Sequence, residues 1–206
     1  MRSFRGKSLL VVLLVLIGAS LIVWWKSLPQ LVVYRGLEAQ SQVDWAAFCR
    51  PLRDAGVRRI ALMDGVPDRP LVETPRRVEI AVMISPDRNP ALDQEMIALG
   101  LTGPGYTIGR HCYVYDPDIS LFLAKHKPEL TQLGVEDWDL ARRRLITNTA
   151  IHEAWHGITQ STSHDPIHTE SLMFMNPGAS PRTYCIDWPL FTRGHKKRLE
   201  QRFRPH

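Results

Sequence analysis

Residues 137–176 read DWDLARRRLITNTAIHEAWHGITQSTSHDPIHTESLMFMN. Asp137 stands where a side-chain oxygen can cap a helix, and Leu140, Thr147, Ile151, Trp155 and Ile158 then recur at helical spacing on one side. The spacing predicts a helix from near Asp137 towards Gln160 with that side against a core. His152-Glu153-Ala154-Trp155-His156 lies within it, with the His pair off the apolar side. Residues i and i+4 of a helix sit only about 40° apart around its axis, so two imidazoles at this spacing can share one metal ion. Glu153 falls on the flank away from Ile151 and Trp155, where it can take a proton from a water whose pKa zinc lowers to about 7. With eight His and nine Glu in the chain, a random order produces the pattern about once in eighty sequences. The plainer alternative is a His pair bonded to nearby carboxylates; coincidence of the full pattern with the helix phase favours the metal.

A catalytic zinc needs a third protein ligand and an open fourth position. Four of the eight His fall between positions 152 and 168, and His164, His168, Asp165 and Glu170 all lie far enough past His156 for the chain to leave the helix and return. Upstream, Leu37 to Ala55 carries Val43, Trp45, Phe48 and Leu52 and reads as a helix ended near Gly56. Val57 to Met63 and Arg77 to Ser85 read as strands and as sheet neighbours, the second with Val78, Ile80, Val82 and Ile84 alternating at period two. Pro86 to Arg110 is rich in Pro and Gly and reads as an irregular excursion. His111 to Tyr115 resumes a strand that Asp116-Pro117 ends. This order predicts an α+β domain: a small mixed sheet, the His152–His156 helix and a C-terminal helix.

The 206 residues, 44% hydrophobic and 23% charged, suffice for one domain with a core, which excludes a disordered tail, a disulfide-stapled miniprotein and a many-span channel. The net charge of +5 resides at the two ends. Residues 1–29 hold four bases and no acid, the last fourteen hold six bases against Glu200, and 30–192 carry 16 bases and 20 acids. Nothing here argues for a nucleic-acid partner. Leu9 to Trp25 is seventeen residues without a charge, about 25 Å as a helix against a bilayer core of about 30 Å. Arg2, Arg5 and Lys7 precede it and Trp24-Trp25 close it, so residues 1–29 are expected to be a membrane anchor with a cytoplasmic amino terminus, or a cleaved signal with Gly18-Ala19-Ser20 at the cut. Either places 30–206 outside the cytoplasm, where two of Cys49, Cys112 and Cys185 could pair.

The stretch HEAWHGITQSTSHDPIHTESLMFMNP resembles the metzincin group of zinc metallopeptidases, whose extended motif is HExxHxxGxxH followed by a Met-containing turn. The resemblance covers about residues 145–176. It implies a zincin-like fold and hydrolysis of a peptide or protein substrate by a zinc-activated water, with His152, His156 and His164 holding the metal and Glu153 as general base. Ser171-Leu172-Met173 resembles the Met-turn, with Met175 as second choice, and Leu190 to Phe203 resembles the closing helix. The family's Gly and third His positions are here Thr159 and Thr162, and His164 comes two residues late. His164 is preferred to His168 because the shorter return is nearer the family spacing.

Among the remaining residues, His111–Tyr115 precedes the helix as a substrate-pairing edge strand would. Tyr184 could bond an oxyanion or simply fill the core. His111, His126 and His195 lack ligand spacing, and the basic run Arg193 to Arg204 reads as a solvated helix face, with anionic lipid as the alternative contact. An intramembrane site does not suit a helix with Arg142, Arg143 and Arg144 and a surround of Thr147, Asn148 and Gln160 to Ser163. From another class stands a membrane-anchored scaffold that binds a partner peptide and hydrolyses nothing.

Overall fold

Gln30–Arg35 forms strand β1, whose four central residues are buried from both sides of a sheet. Leu31 and Val33 face the main core, Val32 and Tyr34 a smaller cluster on the opposite face. Such a strand shows no alternation, and this one begins only five residues after the apolar amino-terminal run, which hides it in the sequence. The computed structural model describes residues 14–20, 28–88, 104–162 and 181–204. Of the expected anchor Leu9–Trp25, only 14–20 fall among these; they are helical and largely exposed. Among the described residues no helix is long and apolar enough to cross a membrane.

The helix expected over Leu37 to Ala55 is two, α1 (Leu37–Gln42) and α2 (Trp45–Asp54). They part at Asp44, which is extended and accepts the N–H of Ala47 at 3.0 Å as the cap of α2. β2 (Arg59–Asp64) and β4 (Arg77–Ser85) match the expected strands but are not neighbours. β1 lies between them and pairs in parallel with both, Val33 opposite Leu62 on one side and Ile80 on the other. Parallel pairing of β1 and β2 requires a crossover, which α1 and α2 supply. The two-residue β3 (Glu73–Thr74) pairs antiparallel with the start of β4.

Two further corrections concern the strands beside the site. β6 (His111–Tyr115) is an interior strand, parallel to β4 and antiparallel to β5 (Gly105–Ile108). The edge is therefore β5, inside the stretch that reads as an excursion, and the sheet order is β2-β1-β4-β6-β5. Asp116-Pro117 ends β6 by starting α3 (Asp116–Gln132), where the missing proline N–H costs nothing in the first turn. α3 buries only Asp118, Ile119 and Leu130, too little to show as a stripe.

α4 (Trp138–Thr159) is the expected helix, with the Asp137 carboxylate accepting the Leu140 N–H at 2.9 Å. Thr147, Ile151, Trp155 and Ile158 are buried as predicted, whereas Leu140 in the first turn lies beyond the core and is exposed. Each large apolar side chain buried here contributes about 1.5–3 kcal/mol. Gly157 lets α4 settle on β6, since a Cβ there would come within 2.9 Å of Cys112 Sγ. α5 (Pro181–Cys185) and α6 (Arg193–Arg202) complete the helices, with Leu199 and Phe203 buried one turn apart. Cys49, Cys112 and Cys185, two of which could have paired, are all buried and free: they lie in α2, in β6 under α4, and in α5.

Candidate metal centre and active site

The i, i+4 spacing on α4 brings His152 Nε2 and His156 Nε2 to 3.1 Å from one another. Two nitrogens on one tetrahedral zinc, each about 2.0–2.1 Å from it, lie about 3.3 Å apart, so the pair is already near the separation a shared ion imposes. His156 Nδ1 donates to the carbonyl of Ser161. A carbonyl only accepts, so the proton of a neutral His156 sits on Nδ1 and the lone pair that a metal takes sits on Nε2. His152 Nδ1 lies 3.4 Å from the Tyr184 hydroxyl. Asn148, one turn before His152, sets that phenol by donating to the carbonyls of Tyr184 (3.0 Å) and Asp187 (3.3 Å).

Glu153 is buried under β5. Its Oε2 lies 2.7 Å from Thr107 Oγ1, which is also 2.9 Å from the backbone carbonyl of Glu153. The hydroxyl has one proton and two lone pairs: it donates to an ionised carboxylate, or accepts from a protonated one while donating to the carbonyl. Gly105, two residues before Thr107 on the same side of β5, makes room for the carboxylate; a Cβ there would sit 2.8 Å from Glu153 Oε1. Burial pushes the Glu153 carboxyl up to about 8, with the Thr107 hydrogen bond pulling against it. The Tyr184 phenol is pushed up by burial and then by the charge of Glu153.

β5 presents an open edge. Tyr115 N–H donates to Pro104 C=O at 2.9 Å, so by the alternation of an antiparallel pair Tyr106 and Ile108 bond to β6, while the N–H and C=O groups of Gly105 and Thr107 point away from it. Among the described residues no strand pairs with β5 on that side. The β5–β6 turn is tied to the end of α4: Gln160, in the left-handed region at φ 51°, donates to the carbonyls of Gly109 (2.8 Å) and Gly157 (2.6 Å). Arg110 bonds Gly157 C=O at 3.2 Å and pairs with Glu73, which Arg202 of α6 also holds.

The structure thus brings His152 and His156 together, as their spacing predicts, while the carboxylate of Glu153, in the same turn of α4, lies against Thr107. Among the described residues no His, Cys, Asp or Glu, Glu153 included, joins the two histidines in a group of three that could hold a metal ion. His164, His168, Asp165, Glu170, Met173 and Met175 lie outside the described residues. Sequence reasoning missed Thr107, Gly105, Asn148 and the role of Tyr184, for which no local pattern gives a signal.

The arrangement is a mixed α/β domain with an HExxH helix beneath an edge strand. No family model and no curated protein matches the chain. Among solved structures it is similar to a zinc-dependent peptidase from Methanocorpusculum labreanum (strain Z), at 10% identity over 82% of this chain and 99% of that one, with a TM-score of 0.43.

Proposed function

We propose that this chain is a zinc-dependent peptidase of metzincin-like type, with His152 and His156 as two metal ligands, a third from His164, and Glu153 as general base. The observation that carries the reading is the 3.1 Å convergence of the two Nε2 atoms on the helical turn that also carries the buried Glu153. Zinc, when bound, supplies Lewis-acid polarisation of a carbonyl and lowers the pKa of a water. The chain's own residues do the rest. The outward groups of Gly105 and Thr107 can hold an extended peptide as an added strand, setting its carbonyls beside α4. The Glu153 carboxylate takes a proton and can return it to the leaving amine, and the Ser161 carbonyl keeps the His156 proton on Nδ1. We place the domain outside the cytoplasm, tethered by residues 1–29.

The test is metal content and peptide cleavage of the purified full chain beside His152→Ala, His164→Ala, His168→Ala and Glu153→Gln. One zinc per chain is expected, lost with His152 and with one of the other two His. Glu153→Gln is expected to keep the zinc while cleavage falls by about 10²–10⁴-fold. No zinc even after supply, or full cleavage by Glu153→Gln, overturns the proposal.

A further inference from the structure

We infer that Thr107 is a positioning residue for this reaction, its hydroxyl holding the Glu153 carboxylate in place from the strand along which the peptide lies. The inference rests on the peptidase reading above and adds a residue to it.

Three observations converge. The Thr107 hydroxyl lies 2.7 Å from the carboxylate and 2.9 Å from the backbone carbonyl of the same residue, and when Glu153 is ionised its one proton goes to the carboxylate, so β5 holds the side chain in the state a base needs. Gly105 bounds the carboxylate from the same strand, its missing Cβ leaving room for Oε1. The backbone N–H and C=O of Thr107 point to the open edge, so one residue binds substrate through its main chain and the base through its side chain. A peptide that pairs with β5 is thereby set in register with the carboxylate. Glutamate has three rotatable side-chain bonds, and a misplacement of about 1 Å at a reacting group can cost on the order of a hundredfold in rate.

A residue that only packed β5 onto α4 would behave differently from one that aims the base. Thr107→Val keeps the shape and the main-chain groups and removes the hydroxyl; Thr107→Ser keeps the hydroxyl. In the zinc-loaded full chain, Thr107→Val is expected to lower kcat about tenfold or more with KM within about twofold and zinc content unchanged, and Thr107→Ser to return kcat to within about threefold of the parent. A readout independent of activity is the urea unfolding of the metal-free full chain in a double-mutant cycle of Thr107→Val with Glu153→Ala. Coupling of about fivefold or more in the unfolding constant is expected. An active parent with an unreduced kcat in Thr107→Val, equal loss in the Val and Ser variants, or additive unfolding effects overturns the positioning role alone. A parent that holds zinc and cleaves no peptide overturns the peptidase reading and the positioning role with it.

Discussion

Gly105 shows how little space surrounds the Glu153 carboxylate. A Cβ at this position would lie 2.5 Å from Thr149 Cγ2 and 2.8 Å from both Cγ and Oε1 of Glu153, and neither α4 nor β5 can retreat without breaking the Thr107 contact. Gly105→Ala is therefore expected to cost about 1–3 kcal/mol through overpacking, read as a shift of the urea midpoint, and to lower peptide cleavage by displacing the carboxylate. The same closeness explains the state of Glu153: a carboxyl shut away from water is costly to ionise, and burial outweighs the one hydroxyl that favours its charge. A cation at the two histidines would act in the opposite direction.

At the scale of elements, α4 carries the two histidines, Glu153 and Asn148, while the groups that bond the histidines and Glu153 come from Ser161, Tyr184 and Thr107 outside it. Its start depends on the Asp137 carboxylate, and Asp137→Ala is expected to lose about 0.5–2 kcal/mol, measured by denaturant unfolding. Zinc content should persist in that variant, because the cap lies four turns from His152. The other end is held by Gln160 and Arg110, which clasp the β5–β6 turn to the last carbonyls of the helix. This clasp keeps the edge strand and the helix at a fixed separation, which the 2.7 Å contact of Thr107 with Glu153 requires. α4 was legible because its cap, stripe and motif are all local. β5 was not, since PGYTI between prolines and glycines has no period to read, and its strand character comes from pairing with β6.

Across the whole molecule, the sheet face opposite α4 carries the buried Glu79, held by Arg69 and Arg77 at 2.7 Å, by Tyr34 at 3.3 Å and by the Val72 N–H at 3.0 Å. Chiefly the Arg69 bond, against the opposing effect of burial, lowers its carboxyl from 4.5 to about 2. A depressed folded-state value stabilises the fold above the unfolded value and is lost as pH falls through the folded one. Stability is thus expected to decline between about pH 4.5 and pH 2, by up to about 3 kcal/mol from this group. Urea unfolding across that range should show a shallower decline in Glu79→Gln; equal slopes would remove Glu79 as the cause.

What the sequence by itself determined was the make-up of α4: its cap, its apolar side and its i, i+4 histidine pair. His152 and His156 converge because four residues make little more than one helical turn, a geometry that needs no other part of the chain. The parallel strands beneath it were legible in part, β4 by its alternation and β2 by its apolar run. Only the tertiary structure decided that β1 divides them, that β5 and not β6 is the open edge, that the cysteines stay apart, that Thr107 and Gly105 enclose the Glu153 carboxylate, and that Tyr184 meets His152. The physical reason is separation: Thr107 and Glu153 are 46 residues apart, and a contact across that distance is set by how sheet and helix pack, which no local pattern encodes.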